Sequence, residues 1–193
     1  MKIGLFFGSF NPVHIGHMAL ANYFIVEVGL KEIWFIVSPQ NPLKEKSSLL
    51  DQRQRFHMVN LAIDDFRGMK ASNIEFGLPI PSYTIQTLDV LQKKNPGKEF
   101  ALIMGSDNLE TFPKWKNYEE ILEHHFLYVY PRPGFSGGDL KNHPKVKMTT
   151  APQFEISSTQ LRKWIGQKKD VRFFMPRSSW EYLSEMHFYK NYK

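Results

Sequence analysis

His14 and His17 stand three residues apart in the stretch GSFNPVHIGH (8–17), directly after the apolar run IGLFF and before MALANYFIVEVGL. At the entrance of a helix, that spacing turns two imidazoles toward the same place. Where a strand hands over to a helix, backbone N–H groups and the helix dipole form a ready anion site. Gly8 and Ser9 are small enough to let a phosphate come close to the backbone there. The stretch matches neither Gly-x-x-x-x-Gly-Lys-Ser/Thr nor Gly-x-Gly-x-x-Gly, the two common phosphate fingerprints. The same residues also suit a Gly/Pro turn with two solvated histidines, or half of a metal site for which no third ligand stands at a telling spacing.

Such a pair needs a scaffold. Apolar runs at 2–7, 32–38, 70–76, 99–105, 125–130 and 145–150 read as strands, several of them nearly continuous, which suits a parallel sheet covered on both faces. Between them Met18, Ala21, Ile25 and Val28 recur at helical spacing up to a stop at Gly29. Phe56, Val59, Ile63 and Phe66 do so after a capping-type start at Ser48 and Asp51. Further helices are expected at 84–94, 117–124, 158–167 and 177–189. The alternation predicts an α/β fold with a doubly wound, mostly parallel sheet, whose ligands sit beyond the carboxyl ends of the strands. The Gly/Pro-rich segment 131–144 reads as a mobile surface loop. No repeat interrupts the order, so residues 1–193 are expected to form one domain, with a helical segment at about 151–193 packed on it.

With 193 residues, 42% of them apolar and 15% aromatic, the chain has the material for one substantial core. It has no cysteine, which excludes a disulfide framework, a thiolate nucleophile and a cysteine-ligated zinc, and fits a cytoplasmic protein. The first residues are too short an apolar run for a signal peptide, and no stretch suits a membrane helix. The net charge of +6 is unevenly placed: residues 141–193 hold 11 Lys and Arg against 4 Asp and Glu, and residues 1–140 hold 14 against 15. A basic end of this kind suits nucleic acid, an anionic surface or a phosphate-rich small molecule. Nucleic-acid binding would want arginines interleaved with exposed aromatics. Trp180, Leu183 and His187 instead recur at helical spacing and read as a packed closing helix, so neither nucleic acid nor membrane is the expected partner.

GSFNPVHIGH resembles the His-x-Gly-His signature of the nucleotidyltransferase superfamily. SPQNPLK (38–44), SYTIQTL (82–88), GSDNLETFPKW (105–115), RPG (132–134) and ISSTQLR (156–162) follow in the order found in bacterial nicotinate mononucleotide adenylyltransferases. The resemblance spans nearly the whole chain. It implies adenylyl transfer from ATP to nicotinate mononucleotide, giving deamido-NAD and pyrophosphate in NAD biosynthesis, with no covalent enzyme intermediate. Phosphoryl-type transfer of this kind is catalysed mainly by positioning and charge stabilisation. The resemblance further implies that His14 and His17 are the catalytic pair that holds the ATP phosphates, with the backbone of Gly8, Ser9 and Phe10 beneath them. It also implies a Mg2+ ion held by the substrate phosphates and water rather than by the protein, and a place for Asn11 at the mononucleotide. A homo-oligomer is compatible with the sequence.

The other matching residues each have a chemical reading beside a plainer one. Lys44 offers a point charge to a phosphate, or is an ordinary solvated lysine. Ser157, Ser158 and Thr159 either cap the helix at 158–167 or face the phosphates, and Arg162, one turn on, can add charge-assisted bonds to the β- and γ-phosphates. Gly105 and Asp107, at the end of the fourth strand, suit adenosine and its ribose hydroxyls, or form a helix cap. Trp115 with Tyr83 and Thr84 resembles the nicotinate site, an indole to stack on the pyridine ring and N–H groups to receive its carboxylate, although a tryptophan at such spacing also suits a core. Arg132 is a further phosphate or mononucleotide contact, or a loop arginine. Two residues depart from the family pattern. Gln86 stands where an aspartate is common, and Phe7 where a first glycine is common.

Overall fold

The computed structural model describes residues 2–39, 49–64 and 66–192. Its strands are β1 (Lys2–Gly8), β2 (Glu32–Val37), β3 (Met69–Ser72), β4 (Glu99–Gly105), β5 (Leu127–Tyr130) and β6 (Val146–Met148). They form one sheet in the order β3-β2-β1-β4-β5-β6, and every neighbouring pair is parallel. β1 lies at the centre, with Ile3 opposite Glu32 on one side and opposite Phe100 on the other. The chain winds outward from β1 to β3, then returns to start the second half at β4. The carboxyl ends of β1 and β4 are therefore the switch point where such sheets bind ligands.

The helices are α1 (Ile15–Val26), α2 (Gln52–Ile63), α3 (Thr84–Lys94), α4 (Ser106–Thr111), α5 (Tyr118–His124), α6 (Ser158–Gly166) and α7 (Arg177–Glu185). The near-continuous apolar strands fit burial on both faces, because alternate side chains enter different clusters. Phe6, Ile33 and Phe35 pack with α1, α2, α6 and α7, whereas Ile3, Leu5, Trp34 and Ile36 pack with α3, α4 and α5. α7 closes the first layer over α2, where the Ser179 hydroxyl donates to the Met58 carbonyl at 2.8 Å. No helix among the described residues is long and apolar enough to cross a membrane.

Several boundaries differ from the sequence expectation. The third strand stops at Ser72, because the chain turns into a 3-10 segment at Ile74–Gly77 that buries Glu75. The fifth starts at Leu127, the sixth covers only Val146–Met148, and α7 ends at Glu185. In α1 the buried face is Leu20, Ala21 and Phe24 rather than the Met18–Ile25–Val28 stripe, since Phe24 points fully into the sheet. Phe66 lies past α2 and is exposed. Asp51 caps α2 by accepting from the Arg53 N–H at 2.8 Å, while Ser48 lies outside the described residues. The 131–144 loop is pinned: Glu110 of α4 accepts from the Ser136 and Gly137 N–H groups at 2.8 and 3.2 Å.

Candidate active site

At the carboxyl edge of β1 the chain makes a tight turn into α1. Gly8 ends the strand, and a Cβ there would come within 2.8 Å of the Phe10 ring. Its smallness serves this return of Phe10 under the strand. Phe10 is buried at φ 44°. A bulky residue adopts that left-handed conformation only where packing compels it, and its ring is clasped by Phe6, Phe35 and His17. Phe7, the departure from the family pattern, packs into the opposite layer.

The turn delivers His14 as the N-cap residue of α1, in extended conformation, and His17 in its first turn. Their rings lie 3.7 Å apart at 30°. The His14 N–H donates to His17 Nδ1 at 3.2 Å, which leaves the neutral imidazole's proton on Nε2. His14 is 5% exposed, and its Nδ1 is buried without a hydrogen-bond partner among the described residues. Burial, helped by the charge of Arg132, pulls its pKa down to about 4. At neutral pH His14 is therefore uncharged in the free protein, and a phosphate anion beside it would favour its protonated form.

Both histidines line a cleft of about 470 Å³ together with Ser9, Asn11, Arg132 and the start of α6. The three hydroxyls of that start have separate tasks. The Ser157 hydroxyl accepts from the Gln160 N–H at 3.1 Å and caps the helix, Ser158 donates to the Pro12 carbonyl at 2.9 Å, and Thr159 accepts from Arg162 at 3.3 Å. Arg162 is buried and donates to the Asn11 carbonyl at 2.7 Å, with its Nε unpartnered. It thus ties α6 to the first loop while keeping its guanidinium on the cleft wall. Across the cleft, Arg132 stands 3.8 Å from Asp107. Gly105 precedes α4 as its N-cap residue, and Asp107 sits in the first turn of that helix rather than in the strand, where a carboxylate is favoured by the helix dipole.

Tyr83, Thr84 and Trp115 do not line this cleft. Tyr83 and Thr84 form the start of α3, and the Tyr83 ring carries the ammonium of Lys116, the residue after Trp115, at 4.6 Å. Trp115 is half-buried with its ring centroid 5.1 Å from that of Phe112, so the core reading accounts for part of it. Gln86 turns back on the helix and accepts from the Tyr83 N–H at 3.4 Å. Lys44 lies outside the described residues.

Two side chains that sequence reasoning passed over hold the loops together. Arg55 is fully buried and donates to the carbonyls of Leu50, Ser9, Ser38 and Pro39. It has no carboxylate among these partners, and burial lowers its pKa to about 10. Its signal was available: Arg55 shares the helical phase of Met58 and Val59. Tyr189 donates to Asn11 Oδ1 at 2.6 Å across 178 positions, and nothing local announces that contact.

A family model described as cytidylyltransferase-like matches residues 5–164, so the chain belongs to the cytidylyltransferase-like family, a family of nucleotidyltransferases. A protein of Flavobacterium johnsoniae named "Probable nicotinate-nucleotide adenylyltransferase" is 50% identical over 98% of this chain and 100% of its own. One of Cytophaga hutchinsonii with the same name is 47% identical over the whole of both chains. A solved structure of Plasmodium falciparum nicotinic acid mononucleotide adenylyltransferase complexed with NaAD shares the fold, with a TM-score of 0.82 at 19% identity, covering 98% of this chain and 97% of that one.

Proposed function

We propose that the chain transfers the adenylyl group of ATP to nicotinate mononucleotide, releasing pyrophosphate and forming deamido-NAD. The observation that carries the reading is the convergence of α1 and α6 on one cleft, which two histidines and a buried arginine line together. The name shared by relatives at about half identity supports the substrate. In this reaction a 5′-phosphate oxygen of the mononucleotide attacks the α-phosphorus of ATP, and the bond to the bridging oxygen breaks toward pyrophosphate. The residues need only hold the two phosphates in line and stabilise charge on the leaving group. His17 presents Nε2–H, His14 packs behind it, and the N-terminus of α6 with Thr159 and Arg162 receives the outer phosphates. Ser9 and Arg132 face the same oxygens, with Asn11 at the junction between the nucleotides.

The wall of the cleft offers imidazoles, guanidinium groups and hydroxyls, a set that suits phosphate oxygens better than a cation. Among the described residues no group of three His, Cys, Asp or Glu side chains could hold a metal ion. A divalent cation, Mg2+ in this reading, fits as a companion of the ATP phosphates, where it would withdraw charge from the leaving group. Gly105 and Asp107 take the adenosine. The start of α3 receives the nicotinate carboxylate through the N–H groups of Thr84 and its neighbour, with Tyr83 and Trp115 framing the ring. One domain does this work, the segment 151–193 included, in a cytoplasmic setting that the absence of cysteine suits.

Pyrophosphate release from ATP with each mononucleotide in turn tests the reading. Nicotinate mononucleotide should exceed its amide by about 10²-fold in kcat/KM. A carboxylate satisfies N–H donors that an amide NH₂ meets donor against donor, at roughly 1–3 kcal/mol for each group left unpaired. No release with the acid would overturn the function, and equal constants would overturn the donor-lined subsite.

A further inference from the structure

The turn after α7 carries a side chain that neither the family motifs nor the reading above uses. Tyr192 lines the cleft. Its ring lies against Arg162, 4.8 Å from the guanidinium carbon, and its hydroxyl accepts from Arg162 Nη2 at 3.3 Å. A phenol that accepts from an arginine must direct its own proton elsewhere, and the open side of this one is the cleft.

The seat of Tyr192 is built. A Cβ at Gly166 would fall onto the Tyr192 carbonyl oxygen and stand 3.0 Å from its carbonyl carbon, so the end of α6 admits this backbone only as glycine. The Tyr192 N–H donates to the Tyr189 carbonyl at 3.0 Å, and Tyr189 in turn reaches Asn11. His187 and Tyr189 hold φ values of 59° and 61°. Left-handed conformations at non-glycine residues persist only where the surroundings impose them. The turn is therefore held in one shape by contacts with the two elements that flank the cleft.

We propose that Tyr192 is a ligand of the triphosphate, its hydroxyl donating to a β- or γ-phosphate oxygen beside Arg162. The proposal rests on the adenylyl-transfer reading and adds to it a donor carried by the C-terminal turn. Tyr192→Phe keeps the ring on Arg162 and removes the hydroxyl, as donor to the triphosphate and as acceptor from Arg162 Nη2, which keeps Thr159 as a partner. It should raise the KM for ATP about tenfold, the effect of one hydrogen bond to a charged acceptor, and leave the KM for nicotinate mononucleotide unchanged. Gly166→Ala displaces the turn without altering any group on the cleft and should raise the same KM. An unchanged KM for ATP in Tyr192→Phe, or an equal rise for both substrates, would overturn the proposal. If the native protein forms no deamido-NAD, the functional reading falls by itself, and calorimetric ATP binding decides the ligand. Weaker binding by Tyr192→Phe supports it, whereas equal binding, or none by the native protein, overturns it.

Discussion

The cleft between α1 and α6 and the face around α3 and Trp115 are built to different standards. In the cleft, the polar groups reach it from positions 9 to 192, and several are held by hydrogen bonds that are buried, as Arg162 to Asn11, or partly buried, as Ser158 to Pro12, Tyr189 to Asn11 and Arg55 to Ser9. On the other face Tyr83 is exposed, Trp115 is half-buried, and the cross-link is an ammonium over a ring. Preorganised groups act on a transition state because they need no reordering when charge develops. Exposed groups contribute through contacts made when the ligand arrives, and part of that gain is spent in ordering them. The first region should therefore govern turnover, and the second the affinity for one substrate.

The sharpest break of this contrast is His17→Ala, which should lower kcat by roughly 10²–10⁴ while ATP still binds, as steady-state kinetics with calorimetry would show. A loss smaller than about tenfold would remove His17 from the chemistry and level the two regions. Arg55→Met comes next. It leaves four loop carbonyls without their donor and should cost about 3–5 kcal/mol in urea unfolding, with a drop in kcat although the residue touches no substrate. Activity retained in the face of that destabilisation would show that the loops need no clamp.

A third test uses pH. His14 is pulled down to about 4 in the folded protein, below the value of about 6.5 usual for an unfolded histidine. Between those values the unfolded state binds more protons, so the contribution is full above about pH 6.5 and is lost as pH falls toward 4, by about 3 kcal/mol. His14→Gln should flatten this part of the stability profile, measured as urea midpoints across the range. An unchanged slope would assign it to other groups. The smallest effect belongs to the second region: Trp115→Ala should raise the KM for either mononucleotide about tenfold and leave the KM for ATP and kcat near their native values. A fall in kcat would mean that this face also shapes the transition state.

Much of this arrangement is written in local patterns. The alternation of apolar runs and helical stripes announces a parallel sheet, because side chains buried on both faces leave no polar phase. HIGH and ISSTQLR mark the two helix starts that meet at the cleft, and Ser157 caps as a serine at that place should. Shifts such as Phe24 for Ile25, or the early end of β3, arise where a large side chain or a buried carboxyl finds a better partner in the sheet than periodicity allows.

What only the tertiary structure decided is the state of the groups. His14 is an ordinary histidine in the sequence, and its charge depends on burial beside Arg132. Gly8 reads as a phosphate-permitting residue in the sequence, and the Phe10 ring beneath it adds a packing demand for glycine that only the fold shows. Arg55, Tyr189 and Tyr192 acquire their roles from partners up to 178 positions away. Residue types and spacings set which groups can reach a site, since they fix helix phase and strand direction. Desolvation and long-range hydrogen bonds depend on every neighbour at once, and these determine protonation, orientation and which carbonyl an arginine holds.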